Sequence, residues 1–486
     1  MQKEQVSYQN KNRWLIMLAV FISTFMTSVE VTIVTTALPS IISELHGLAY
    51  QSWIMSAYLF TTAITTPIYG KLADMMGRKK LFMWGIFVFT LGSFLSGLST
   101  SIWMLIFFRA IQGIGAGAVM PLTFTIIADN YDFKQRAKVL AMNNTAWGIS
   151  ALVGPLIGGF LVDTLSWHWV FFVNVPLGIF VFLICIFGYK ETFKHKDKIV
   201  IDWNGIVLLS VGLISLLIGV QFLDNAPLIA GILILAALII FIFFVRYERD
   251  FANPLISPKM FANRTFGIQI LTATLLSGVL IGYQIYFPIW LQSLYRVSAT
   301  VAGLVITPSS VMWFLASFFV GGLIARFVPK RVIILVTGVL FLAYGTMIFA
   351  QKEFPIWAFY VITAINGTGM GIVISMNTIL SQHLVFNDQV GSATAVLTLG
   401  RSLGQTVMTG VFGAILNLVI RLNLNGIPFS SVNKVISSSF SGFVPQRQEI
   451  DAIVLNSLHG VFIAAVAVLV IVIVINVLDP NQKIIK

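Results

Sequence analysis

Of the 18 acidic residues only Glu30 falls deep inside an apolar stretch, and of the 30 basic residues only Arg109 and Arg401 do. A carboxyl in such surroundings can take up and release a proton, and a guanidinium beside it biases which form is favoured. Ionisable groups at membrane depth are costly and are candidate functional groups by default. Glu30 lies about eight residues before the end of the first apolar run and Arg109 about seven after the start of the fourth, so at 1.5 Å per residue both sit roughly 10 Å below the same surface. Two readings follow. The pair is a static tie between two helices, or it is a contact that forms in one conformation and breaks in another, so that proton affinity depends on conformation.

The elements that must hold these residues are membrane helices. The chain is 58% hydrophobic and 10% charged, with a mean hydropathy of +0.92, whereas about a quarter of the residues of a soluble domain are charged. At about 20 apolar residues per crossing, six runs fall near 13–38, 51–72, 80–98, 102–127, 137–161 and 168–189. Two follow near 203–222 and 227–246, and six more near 265–291, 299–326, 331–350, 355–380, 390–419 and 453–478. The expected fold is an all-α integral membrane protein of fourteen helices. Two six-helix bundles, 1–190 and 265–486, flank a linker, 191–264, that holds an extra helix pair.

Fourteen crossings put both termini on one side. Arg296, Lys352, Arg421, Lys434 and Arg447 lie on the opposite loops, and every other basic residue outside the spans falls on the side of the termini, which the positive-inside rule makes cytoplasmic. The net charge of +12 is therefore a membrane pattern and not a nucleic-acid footprint. The run from Arg13 to about Leu38 is too long for a signal-peptide core and reads as a retained span. The lone Cys185 excludes an intrachain disulfide and a CxxC site. The basic stretches 190–198 and 246–264 read as solvated connections, and the Ser-rich segment 421–452 as an exposed loop carrying a short interfacial helix.

The chain also repeats itself. GKLADMMGRKK, Gly70 to Lys80, returns as GGLIARFVPKR, Gly321 to Arg331, and RAIQGIGAGAVMP, Arg109 to Pro121, aligns with TAINGTGMGIVIS, Thr363 to Ser375. Duplicated halves are common in carriers that rock about a central site. In the first motif Gly70 allows helix 2 to approach a neighbour, and Asp74 can pair with Arg78 one turn on. Ala325 stands where the second copy would need the acid. In GISALVGPLIGG, Gly148 to Gly159, small residues permit close packing and Pro155 removes a backbone hydrogen bond.

These motifs resemble the major facilitator superfamily, specifically its fourteen-helix branch of drug:proton antiporters, over essentially the whole chain. VEVTIVTTALP, Val29 to Pro39, is similar to a helix 1 motif of that branch with Glu30 in place of aspartate, and WHWVFFVNVPLG, Trp167 to Gly178, to a helix 6 landmark with His168 in place of arginine. Met75 stands where the family has a basic residue. The resemblance implies proton coupling through Glu30 and Arg109. It also implies gating by Gly70, Asp74, Gly77 and Arg78 with Gly154, Pro155, Gly158 and Gly159. For substrate it implies a pocket drawing on Gln112, Asn143, Asn144, Trp147, Tyr283, Gln284, Tyr286, Asn366, Asn377 and Arg401. Such a pocket with one carboxylate would suit lipophilic, often cationic drugs.

The five histidines are scattered, with no HExxH, nucleophile elbow or phosphate loop, and the glycines after Arg109 are not preceded by a strand as a dinucleotide loop requires. The expectation is a monomeric, cofactor-free and metal-free exporter in the cytoplasmic membrane, with drugs, protons and lipid as partners and no nucleic acid. Export of one dedicated antibiotic, lipid or metabolite is the alternative, and a non-transporting receptor or scaffold a more distant one.

Overall fold

A chain in lipid must satisfy its backbone N–H and C=O groups internally, so its apolar runs become helices. The computed structural model describes residues 13–131, 133–189, 202–223, 226–251, 254, 256, 258–385, 390–436 and 446–481. The first bundle holds α1 (Arg13–Leu45), α2 (Gln51–Met76), α3 (Arg78–Gly97), α4 (Ile102–Asn130), α5 (Phe133–Thr164), α6 (Trp169–Phe172) and α7 (Asn174–Gly188). The inserted pair is α8 (Trp203–Gln221) and α9 (Pro227–Asp250). The second bundle holds α10 (Arg264–Leu294), α11 (Ala299–Arg326), α12 (Pro329–Phe349), α13 (Ile356–His383), α14 (Val390–Leu422), α15 (Phe429–Ile436) and α16 (Arg447–Val477). No strand occurs among the described residues.

Among the described residues thirteen helical stretches are long and apolar enough to cross a membrane, the fifth of them being α6 and α7 together. α2 completes fourteen by length and packing, between α4 and α14. Its hydropathy is diluted by Thr61, Thr62, Thr65 and Thr66, yet each of these hydroxyls donates to a carbonyl four residues earlier. The helix therefore absorbs its own polarity. The first helix also runs on through Pro39 to Leu45, beyond the end expected from the sequence.

Within the described part of the 421–452 loop the short helix is α15, which leaves Ser430 and Lys434 exposed. It buries Val432, Val435 and Ile436 and packs on α10, α16 and α1.

The sequence repeat is a packing repeat. On α4, an added Cβ at Gly113 would come 2.3 Å from the Tyr58 carbonyl oxygen of α2, and at Gly115 2.2 Å from Phe89 N of α3. On α13, the matching Gly367 presses on the Ser309 carbonyl of α11 and Gly369 on Leu340 of α12. The two bundles meet along α5–α11, α2–α14 and α1–α10. α8 spans the second of these seams: its Gln221 donates to Ser56 of α2 at 2.5 Å and accepts from Ser52 at 3.1 Å, while its Val220 fills the space over Gly410 of α14.

Gly70 does not make the close approach expected of it. A Cβ there would lie 3.9 Å from Pro121, an ordinary contact, and Gly321 and Gly322 have nothing within 4 Å. We expect Gly70→Ala to leave thermal stability in detergent unchanged, and Gly113→Ala to lower it by about 1–3 kcal/mol, because the new methyl meets backbone that cannot move aside. Equal melting temperatures for the two variants would contradict this packing.

Candidate functional site

Glu30 enters from the middle of α1 and Arg109 from the first half of α4, and the two form an ion pair with no exposed surface on either side chain. The second carboxylate oxygen, Oε2, accepts from Asn174 Nδ2 of α7 at 2.6 Å. Arg109 is held in turn. Its Nη1 donates to Gln112 Oε1 at 2.7 Å, its Nε to the Ile54 carbonyl of α2 at 3.2 Å, and its guanidinium lies 4.4 Å from the centre of the Tyr58 ring. Ser93 of α3 closes the network, accepting from Gln112 Nε2 at 3.0 Å and from Asn174 Nδ2 at 3.3 Å while donating to the Phe171 carbonyl.

At equal depth the two residues could have faced one cavity. The structure instead encloses them in the core of the first bundle, with every partner drawn from that bundle. A buried pair gains enough to offset desolvation only when its remaining hydrogen-bonding capacity is filled, and Asn174, Gln112, Tyr58 and Ile54 supply that. Arg109 Nη2 and Asn174 Oδ1 alone in this cluster lack a hydrogen-bond partner. Gln112 thus belongs to the charge cluster and not to a substrate surface. Asn174 and Ser93 were not singled out in the sequence, although Asn174 is a polar residue inside the otherwise apolar sixth span and was visible as such.

Among the other expected pocket residues, Asn143 is buried and accepts from Thr24 Oγ1 at 3.1 Å, tying α5 to α1. The Asn144 and Asp74 side chains lie outside the described residues. Tyr283 and Tyr286 are fully buried, the first donating to the Ile306 carbonyl at 3.3 Å and the second stacked edge-on to Phe412. Asn366 accepts from Tyr344 at 2.8 Å and donates to Ser309 at 3.1 Å. Asn377 is enclosed, and neither amide atom has a hydrogen-bond partner among the described residues. Trp147 of α5 is 37% exposed, and Gln284 and Arg401 are half-buried, so these three keep accessible surface where the others do not.

The α5 motif forms a double-sided packing surface. An added Cβ at Gly154 would come 2.1 Å from Thr32 Oγ1 and at Gly158 2.8 Å from the Ile33 carbonyl, both on α1, whereas at Gly159 it would come 2.5 Å from Thr300 Cα on α11. The Pro155 carbonyl faces Gly303 of α11. Just beyond, Asp163 accepts from the backbone N–H groups of Ala299 and Thr300 at 3.3 and 2.9 Å, capping the N-terminus of α11, and Gln292 of α10 donates to the Thr36 carbonyl of α1 at 3.3 Å. These bonds close the bundles against each other on the face opposite the termini, called here the far face. Gly77, with φ of 89°, breaks the chain between α2 and α3, a conformation that favours glycine, and Arg78 follows it at the start of α3.

Outside the spans, His168 stacks on Trp167 and lies 4.0 Å from Glu44, whose other oxygen accepts from Trp167 Nε1. Burial holds the His168 imidazole below its ordinary pKa, with Glu44 opposing. That is the environment of an anchoring residue.

A membrane-embedded pair of matched helical bundles, with one enclosed ion pair and one capped inter-bundle seam, defines a carrier. The chain belongs to the Major Facilitator Superfamily, whose profile matches residues 20–409. It is 33% identical over 444 residues to Multidrug resistance protein 3 of Bacillus subtilis (strain 168), covering 90% of this chain and 85% of that one. It is 32% identical to the Multidrug transporter protein MdtP of the same organism, over 84% and 76% of the two chains. Its fold is similar to the crystal structure of a bacterial homolog to the human lysosomal transporter Spinster in an inward-facing and unoccupied conformation, with a TM-score of 0.68 at 17% identity, covering 98% and 97%. A D-xylose-proton symporter matches with a TM-score of 0.61 at 13% identity over 94% and 97%. The protein is a multi-pass membrane transporter and not an enzyme.

Asn174→Ala removes a donor from a buried carboxylate and is expected to cost about 2 kcal/mol or more, against about 1 for Asn143→Ala, which loses a neutral bond. Thermal unfolding of the two variants in one detergent measures the difference. Equal losses would show that the Asn174 bond is not charge-assisted.

Proposed function

We propose that the protein is a proton-coupled efflux antiporter of the cytoplasmic membrane, with both termini in the cytoplasm, exporting amphipathic drugs by alternating access. The observation that carries the reading is the enclosed Glu30–Arg109–Asn174 cluster, whose partners come from α1, α4 and α7. Any rearrangement of those helices changes what solvates the carboxyl and hence its proton affinity. The drug cargo is supported by the relatives named as multidrug transporters. The membrane potential provides about 2.3 kcal/mol per elementary charge per 100 mV, before any pH gradient, which is adequate for uphill export.

Purified protein in proteoliposomes with an imposed pH gradient tests the coupling. Glu30→Gln is expected to abolish uphill dye or drug transport while downhill exchange continues. Full uphill transport by that variant would remove Glu30 from the coupling.

Two carboxylates are proposed to bias the carrier in opposite directions. Asp163 holds the far face shut through the α11 N-terminus, a contact worth about 0.3–1 kcal/mol, and Asp74 is proposed to hold the cytoplasmic face shut. With Cys185 removed and one cysteine placed at Ser402, Asp163→Asn should raise labelling by an impermeant reagent from the far side up to about fivefold. Asp74→Asn should raise labelling from the cytoplasmic side and lower it from the far side. Far-side labelling that moves in the same direction for both variants would contradict the two-latch arrangement.

A further inference from the structure

The first bundle matches its internal charge, and the second does not. Arg401 sits in the first half of α14, forms no ion pair or hydrogen bond with any described residue, and has its Nε enclosed without an acceptor. The remaining buried acids, Asp202, Glu248, Asp451 and Asp479, lie at or just beyond the ends of α8, α9 and α16.

The packing of α14 shows where Arg401 points. Gly400 and Gly404 press on Thr274 of α10. On another side Leu399 and Leu403 pack with Ala63 and Ile64 of α2 and with Leu209 and Leu213 of α8. Between these faces runs a stripe of Thr394, Thr398, Arg401 and Gln405, at the three- and four-residue spacing that aligns side chains on a helix. All four are half-buried, whereas Leu399, Gly400 and Gly404 are buried. Thr394 accepts from Gln382 of α13 at 3.1 Å, so the stripe lies on the side of α14 that faces α13. A half-accessible polar stripe within a membrane-spanning helix, with neighbours packed on its other sides, is better served by an aqueous cavity than by lipid.

We propose that Arg401, with Thr398 and Gln405 beside it, is an anion subsite that receives the carboxylate of an anionic or zwitterionic amphipathic cargo. The proposal deepens the efflux reading and rests on it. A guanidinium presents a planar fork of donors that matches a carboxylate with two parallel bonds. The carboxylate expected to draw cations, Glu30, is enclosed and already paired, so Arg401 is the internal charge left for cargo among the described residues. When the bundles close around cargo, an unmatched guanidinium would be stranded, and a cargo carboxylate supplies the missing partner.

The test uses one xanthene dye in two forms, with its benzoate carboxyl free and as the methyl ester, binding to the full chain in phosphatidylcholine vesicles. The parent should bind the free acid about tenfold more tightly than the ester. Arg401→Gln should erase that preference while leaving ester affinity unchanged, and Arg401→Lys should retain part of it, which separates the charge from a folding defect. Equal binding of acid and ester by the parent, or a preference that survives Arg401→Gln, would overturn the subsite. Loss of the preference when phosphatidylglycerol is added would assign the arginine to a lipid headgroup and overturn the cargo assignment. Uphill transport under a pH gradient is measured in the same vesicles. A parent that prefers the acid yet transports neither form uphill would refute the efflux reading and leave the subsite standing.

Discussion

The enclosed Glu30–Arg109 pair is the constraint around which the first bundle is built. Two charges without exposed surface are tolerable only if the remaining lone pairs and N–H groups find partners. Five elements, α1, α2, α3, α4 and α7, each contribute an atom to that end. The cluster therefore fixes their relative rotation as firmly as apolar packing does. It also makes the carboxyl responsive to any movement of those helices, which is the property a coupling group needs.

Close helix approach makes the cluster geometrically attainable. Hydrocarbon gives helices no hydrophobic reason to associate, so tight contact depends on small residues. Gly113 and Gly117 bring α4 onto α2, Gly85, Gly92 and Gly115 bring α3 and α4 together, and Gly154 and Gly158 seat α5 on α1. With the helices this close, short side chains such as Ser93 and Asn174 reach the charged pair. The same pattern in the second bundle surrounds a neutral network of Asn366, Tyr344 and Ser309. Two halves with one packing plan thus hold different chemistry.

Two of the seams between bundles differ as well. α5 and α11 meet directly, glycine against backbone, and Asp163 caps the contact. α2 and α14 meet under the cover of α8, whose Gln221 bonds to α2 and whose Val220 sits on α14. The inserted pair is thus structurally engaged at one seam, and sliding there has to carry α8 along or break those two bonds.

Much of this was legible in the sequence because membrane helices obey a length rule and an apolarity rule that can be read residue by residue. The fourteen crossings, the repeat, and Glu30 and Arg109 as residues at one depth all follow from position along a helix with a fixed rise. Depth is a one-dimensional quantity. Rotation about each helix axis is not, and it decided the rest. It turned Glu30 and Arg109 into the bundle core and away from a cavity, and it recruited Gln112 and Asn174 to them. It drew Tyr283 and Asn366 into the interior of the second bundle, and left Arg401 half-buried with no partner among the described residues. It also put Gly113, and not Gly70, against a neighbouring backbone. Those outcomes depend on which helices end up adjacent, and adjacency arises only when residues hundreds of positions apart pack together.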